Sequence, residues 1–285
     1  MKKENQTTTS ETKQNYKPII VAGDDKGGVG KSTSVVHLGD ALTALGYKVR
    51  YADGDPANRT LRSMVPGADK VDGHSADAIR EYVAGSAHGD HQITILDMAG
   101  GTGSILSEVF GDGVQIFEPD GVRVVVALVL TEHPKSVKGV MNWIRAFIRS
   151  AEFITLANGK DSQPGESADL ERIDGGDAIK TLSNNRVIEI PRLPSYIESL
   201  YVKTPGPPSA YFLGGRLEAP RHFQRAAWQR QLDRVVESLR PHAEWLVGTA
   251  PSANGLRSTD YAPVENDAAQ KTLMKLRALY GDEND

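Results

Sequence analysis

The chain has 285 residues, 39% of them hydrophobic, so it can bury a substantial core, and its length fits one large domain or two small ones. Its 33 Lys and Arg against 37 Asp and Glu leave a net charge of -4, so contact with nucleic acid or an anionic membrane must rest on a local patch rather than a global field. The absence of cysteine excludes disulfides, thiolate nucleophiles and Cys-ligated zinc or iron-sulfur sites and fits a reducing cytoplasm, while no apolar run approaches the roughly 20 residues of a membrane span.

Residues 1–17 are Lys-, Glu-, Gln- and Thr-rich, too polar for the apolar segment of a signal peptide, and are expected to form a disordered tail. The first buried strand is expected at Ile19, Ile20, Val21 and Ala22, ending in Gly23, and a glycine-rich loop follows directly. From Lys31 the spacing of Val35, Leu38, Leu42 and Leu45 predicts a helix, with Gly46 placed to cap it. A short strand over 49–52, a helix over 76–83 and a strand over 93–96 running into Asp97 continue the alternation.

The longest apolar run, 124–130, reads as a central strand, and the helix starting near Pro134 carries Val137, Val140, Met141, Ile144 and Ile148 on one side. Strands are expected at 153–156 and 187–190, with loops over 157–185 and 204–220, where Gly, Pro, Ser and Asp predominate. A strong helix over 221–239 has Trp228, Leu232, Val235 and Leu239 as its core stripe, and a short helix is expected near 266–280 within a tail-like end. Alternating strands and helices predict an α/β fold with a doubly wound, mostly parallel sheet, in which ligands bind at the carboxyl ends of the strands. The expected organisation is a tail (1–17), one domain (18–248) and a C-terminal tail (249–285).

Lys26 to Thr33 read KGGVGKST. Gly30, Lys31 and Ser32 supply the second half of the P-loop pattern G-x-x-x-x-G-K-[ST], but Asp25 stands where the first glycine belongs, and Gly23 lies two residues too early. Gly27, Gly28, Val29 and Gly30 are expected to wrap backbone N–H groups around phosphate oxygens at a helix N-terminus. Lys31 then reaches the β and γ phosphates, Ser32 places its hydroxyl on Mg, and Thr33 bonds the α phosphate. The plain alternative is a glycine-rich turn. Asp24 and Asp25 are unusual so close to a polyanion.

The lysine before the glycines makes this sequence resemble the ParA/MinD family of partitioning and positioning ATPases, whose deviant Walker A motif is KGGxGK[ST]. The resemblance implies ATP and Mg as cofactors, slow hydrolysis to ADP and phosphate, and an ATP-dependent homodimer in which Lys26 reaches across to the partner's nucleotide. Asp53-Gly54-Asp55-Pro56 resembles the family's DxDPQ switch, with Ala57 in place of the glutamine. Asp55 is then the residue that orients the attacking water, and Asp53 supports Mg or the switch backbone; the alternative is an Asp-Pro turn. Residues 93–97 resemble a Walker B motif with Asp97 holding Mg, and Gly100, Gly101 and Gly103 let the next loop move with the γ phosphate. Asn158 resembles the family's base-contacting asparagine and Pro191-Arg192 its purine-side element, although plain loop residues have the same appearance.

The first functional expectation is partitioning or positioning of plasmid DNA or another cargo, with an adaptor protein stimulating hydrolysis. Its candidate contacts to non-specific DNA are Arg230 and Arg234, with an ordinary solvated face as the alternative, since Glu237 lies beside them. The second is membrane-surface positioning through Ala269, Leu273, Leu276 and Tyr280, opposed by the acidic end Asp282, Glu283 and Asp285, with a tail helix packed on the domain as the favoured alternative. The third is an ATP-dependent metabolic synthetase; the seven histidines look scattered and His37 structural.

Overall fold

The computed structural model describes residues 16–25, 27–147, 151–197, 222–248 and 267–281. The expectations for Lys26, Ile148, Arg221, the N-terminal tail to residue 15, most of 249–285 outside its terminal helix, and the loop at 204–220 fall outside these residues.

Seven parallel strands form one sheet in the order β3-β2-β4-β1-β5-β6-β7. They are β1 Lys17–Gly23, β2 Val49–Gly54, β3 Asp69–Lys70, β4 Ile93–Met98, β5 Val122–Leu130, β6 Glu152–Asn158 and β7 Val187–Ile190. The central strands read as continuous apolar runs because both faces are covered. Ile19 and Val21 of β1 enter one core with Val124 and Val126 of β5. Ile20 and Ala22 enter the other, with Val125 and Ala127.

One core is closed by α3 (Ala76–Gly85), α4 (Gly103–Phe110), α5 (Pro134–Ala146), α6 (Gly176–Leu182) and the terminal α8 (Asp267–Tyr280). The other is closed by α1 (Lys31–Ala44), α2 (Thr60–Met64) and α7 (His222–Val247). Every residue of α1 from Ser34 to Leu42 is buried, more than the single predicted face, because α1 lies between the sheet and α7. Gly46 has a φ of 92° just past the α1 C-cap, as expected of a terminating glycine. Pro134 opens α5, and the His133 ring accepts from the Lys135 N–H at 3.1 Å.

Two readings of the sequence are corrected. The expected loop at 157–185 contains the end of β6, 3₁₀ turns at Gly159–Asp161 and Leu170–Arg172, and α6. These pieces are too short to show periodicity, yet Ala178, Ile179 and Leu182 are buried. The helix expected to stop at Leu239 continues as α7 through Pro241 to Val247. Proline inside a helix costs about 3 kcal/mol, and the burial of Ala243 and Leu246 on the same stripe offsets it. The terminal helix α8 is packed on the domain, as the alternative to an interfacial helix expected: Leu273 and Leu276 are buried, Thr272 Oγ1 donates to Ala178 O at 3.1 Å, and Tyr280 donates to Asp174 O at 2.7 Å. The side chain of Ala269 lies outside the described residues. Among the described residues no helix is long and apolar enough to cross a membrane.

Candidate functional site

In register, Ala22 of β1 pairs with Asp97 of β4, which pairs with Asp53 of β2. The glycine loop and both acidic motifs therefore meet at the carboxyl ends of adjacent strands. The chain builds β2 and β4 on one side of β1 and β5 on the other, so the loop after β1 occupies the point where the winding reverses.

Gly28 and Gly30 have φ of 80° and 82°, values that favour glycine, and Gly30 is the N-cap of α1. A Cβ on Gly30 would come within 2.5 Å of Asn158 Nδ2, so the position also lacks room for a side chain. Gly27 and Gly28 are exposed, Val29 is buried, and Lys31, Ser32 and Thr33 are half-buried in the first turn of α1. This is an exposed helix N-terminus preceded by glycines, which suits an anion.

Asp97 is 1% exposed, and burial pushes its carboxyl up to about 6; the Lys31 charge and a hydrogen bond from the Ser32 hydroxyl pull it down, while Asp53 and Asp55 raise it further. Its Oδ1 is buried without a hydrogen-bond partner among the described residues. A buried, orphaned carboxylate oxygen beside a serine hydroxyl fits Mg, which is bound through one or two carboxylates, water and substrate phosphates. Ser32 and Asp97 are the residues that would hold it.

Asp53, also buried, directs both oxygens to backbone: Oδ1 accepts from Asp55 N at 2.9 Å and Oδ2 from Arg62 N at 3.0 Å. Of the two roles expected for it, these contacts match support of the switch backbone. Asp55 Oδ1 accepts from Ala57 N at 3.0 Å and Asn58 N at 2.9 Å, and its Oδ2 from the Asn58 amide at 3.0 Å. Burial pushes the Asp55 carboxyl upward, but these bonds and the Lys31 charge outweigh it and leave the group below its ordinary range. Asp55 thus remains ionised close to Lys31, and it also forms the Asp-Pro turn that was the alternative.

On the other side of the loop, Asn158 Nδ2 donates to Val29 O at 2.8 Å and Gly30 O at 3.4 Å, and Lys160 Nζ donates to Gly28 O. In a loop whose N–H groups converge on phosphate, the carbonyls face outward and require donors; Asn158 and Lys160 provide them. Sequence reasoning missed Lys160; its position two residues after the asparagine that ends β6 was the available signal. Pro191 and Arg192 follow β7, where Ile190 pairs with Asn158. Arg192 is exposed, donates from Nη1 to Ser162 O at 2.8 Å and exchanges backbone bonds with Gly165 and Glu166, so it braces the 159–166 turn.

The two aspartates before the loop are turned away from it. Asp24 is buried against Gly139 of α5, and Asp25 Oδ1 accepts from Trp143 Nε1 at 3.1 Å. Arg230 and Arg234 are exposed on α7, some distance along the chain from these motifs, and Arg234 donates to Gly165 O. The structure thus gathers every described residue of the phosphate and acidic motifs, while the α7 arginines lie outside that cluster.

A search of curated proteins finds no match. Among solved structures the chain is similar to the MinD cell division protein of Aquifex aeolicus, at 16% identity over 75% of this chain and 96% of that one, with a TM-score of 0.41. It is also similar to chloroplast FtsY from Physcomitrella patens, at 16% identity over 60% of this chain and TM-score 0.39, spanning 56% of that protein's length. The FtsY receptor of Elizabethkingia anophelis is 18% identical over 62% of this chain, with TM-score 0.35, and is spanned over 57% of its length. The family model described as the CobQ/CobB/MinD/ParA nucleotide binding domain matches residues 19–204, more than half of the chain and the whole of the site built above. This chain belongs to the CobQ/CobB/MinD/ParA nucleotide-binding domain family.

Proposed function

We propose that the protein is a Mg-dependent ATPase whose nucleotide state switches it between monomer and homodimer, and that the dimer partitions or positions a cargo. The observation that carries this reading is the Ser32–Asp97 pair with its orphaned buried oxygen, set beside Lys31 and the ionised Asp55. Mg would neutralise charge on the phosphate oxygens. The glycine-loop N–H groups and Lys31 hold the phosphates in line, Ser32 and Asp97 fix the cation, and Asp55 orients the attacking water. Lys26 is assigned the cross-dimer contact to the partner's phosphates on its motif alone.

A cytoplasmic partner surface of DNA is the preferred cargo track, with an adaptor stimulating hydrolysis. Arg230 and Arg234 are the contacts assigned to it; both are exposed, although Arg234 also braces the 159–166 turn. Membrane positioning is disfavoured because Leu273 and Leu276 of α8, the stripe such a helix would insert, are packed into the domain. The test is light scattering with ADP, and with ATP on Asp55→Ala, each with duplex DNA or anionic vesicles. An ATP-specific dimer that binds DNA and not vesicles is the expected result. A monomer under every nucleotide condition sinks the switch and favours a metabolic enzyme of the same family.

A further inference from the structure

Asp25 occupies the position where a strict phosphate loop has its first glycine, and its surroundings explain how a carboxylate is accommodated there. One oxygen accepts from the indole N–H of Trp143 at 3.1 Å. The other lies against Gly103, the first residue of α4, where an added Cβ would be 3.2 Å from Oδ2. A carboxylate at a helix N-terminus is electrostatically favoured. The Asp25 carbonyl in turn lies against Gly100, where a Cβ would be 3.2 Å away. Trp143 is completely buried and covers Gly23, where a Cβ would overlap the ring at 1.6 Å.

One residue thus sets both its side chain and its backbone close to the loop after Asp97, leaving no room there for more than glycine without displacement, while it leads into the glycine loop. We propose that Asp25 and Trp143 are positioning residues that tie the 99–103 loop to the phosphate loop, so that hydrolysis, more than nucleotide binding, depends on their hydrogen bond. This rests on the ATPase reading above. Trp143 then registers movement of the 99–103 loop when the terminal phosphate is present.

The test compares Asp25→Ala, Asp25→Asn, Trp143→Phe and the double variant Asp25→Ala/Trp143→Phe in the full chain, each checked by thermal melting. Asn keeps an acceptor for the indole and Phe keeps the ring without the donor. Loss of a hydrogen bond to a charged group from the hydrolysis step corresponds to a drop in kcat of about tenfold. The expected pattern is that drop in Asp25→Ala and Trp143→Phe with ADP affinity within about twofold, most activity restored in Asp25→Asn, and no further loss in the double variant.

A second readout is the ¹⁹F resonance of 5-fluorotryptophan at position 143, identified by its absence in Trp143→Phe. It should shift with ATP and Mg in Asp55→Ala but not with ADP. Turnover in the wild type with kcat unchanged in the variants, or an additive double variant, overturns the inference alone. Absence of turnover in the wild type overturns the ATPase reading and the inference with it.

Discussion

The side-chain amide of Asn158 donates to the carbonyl of Val29 across 2.8 Å, joining the end of β6 to a loop 129 residues earlier in the chain. Asn158 is 6% exposed and Val29 3%, so neither group has ready access to water as a substitute. Asn158→Ala leaves that carbonyl without its donor, at a cost of about 1–3 kcal/mol. Denaturant melts should show that loss, and the stabilisation produced by ADP should shrink with it because the loop is no longer held open. Asn158→Asp, which sets an anion against two carbonyls, should be worse than Ala in both measurements.

Asp97 predicts a conflict between stability and function. Its folded pKa, about 6, lies above the ordinary 3.8, so the ionised form is disfavoured by folding and stability falls as pH rises through 6. A difference of about two units corresponds to about 3 kcal/mol at pH 7.5. Nucleotide-free Asp97→Asn should therefore be more stable than the wild type at pH 7.5 in chelator, with the gap closing toward pH 4. Adding Mg and ADP should stabilise the wild type and leave Asp97→Asn behind. An equal response of both to Mg would remove Asp97 from the metal site.

His37 gives the opposite slope. Buried in α1 at 2% exposure, it is held neutral, and burial lowers its pKa to about 4 from 6.5. The stability this provides is complete above 6.5 and is lost as pH falls through 4, about 3 kcal/mol in all. The measurement is cleanest in Asp97→Asn, where the competing carboxylate is absent. There, His37→Gln should flatten the decline between pH 6.5 and 4; an unchanged slope would place the acid sensitivity elsewhere.

The docking of α8 is tested at Leu276, fully buried against Gly175, where even a Cβ would come within 2.3 Å of the leucine. Leu276→Ala should cost about 2–5 kcal/mol. Met274, 65% exposed on the same helix, should tolerate Ser within about 0.5 kcal/mol. Similar losses at both positions would mean that the helix does not bind through this stripe.

The phosphate loop, the Walker B strand and the doubly wound architecture were legible because each is a local pattern. A buried strand such as Ile19–Ala22 needs continuous apolar residues, a helix such as α1 repeats every three or four, and a loop that admits phosphate needs glycines at fixed offsets. The pieces between 159 and 182 were not legible, since segments of three to seven residues contain too few apolar positions to define a period. The end expected at Leu239 failed for a different reason: the apolar stripe was followed only to Leu239, while Ala243 and Leu246 beyond Pro241 are held by a core assembled from distant strands.

The sequence by itself offered the candidates for meeting a phosphate and a cation, namely Gly27 to Thr33 on glycine spacing and Asp53, Asp55 and Asp97 on their resemblance to the family's acidic motifs. Only the tertiary structure decided what each acidic and amide side chain faces: Asp53 the backbone of its own loop, Asp25 the indole of Trp143, Asn158 the carbonyls of the glycine loop, and Asp97 the Ser32 hydroxyl, with one oxygen lacking a hydrogen-bond partner among the described residues. The Asp53 contacts close within its own loop, whereas those of Asp25 and Asn158 join residues more than a hundred apart in the chain, so what faces these two side chains follows from the packing of distant elements and could not be read from their neighbours.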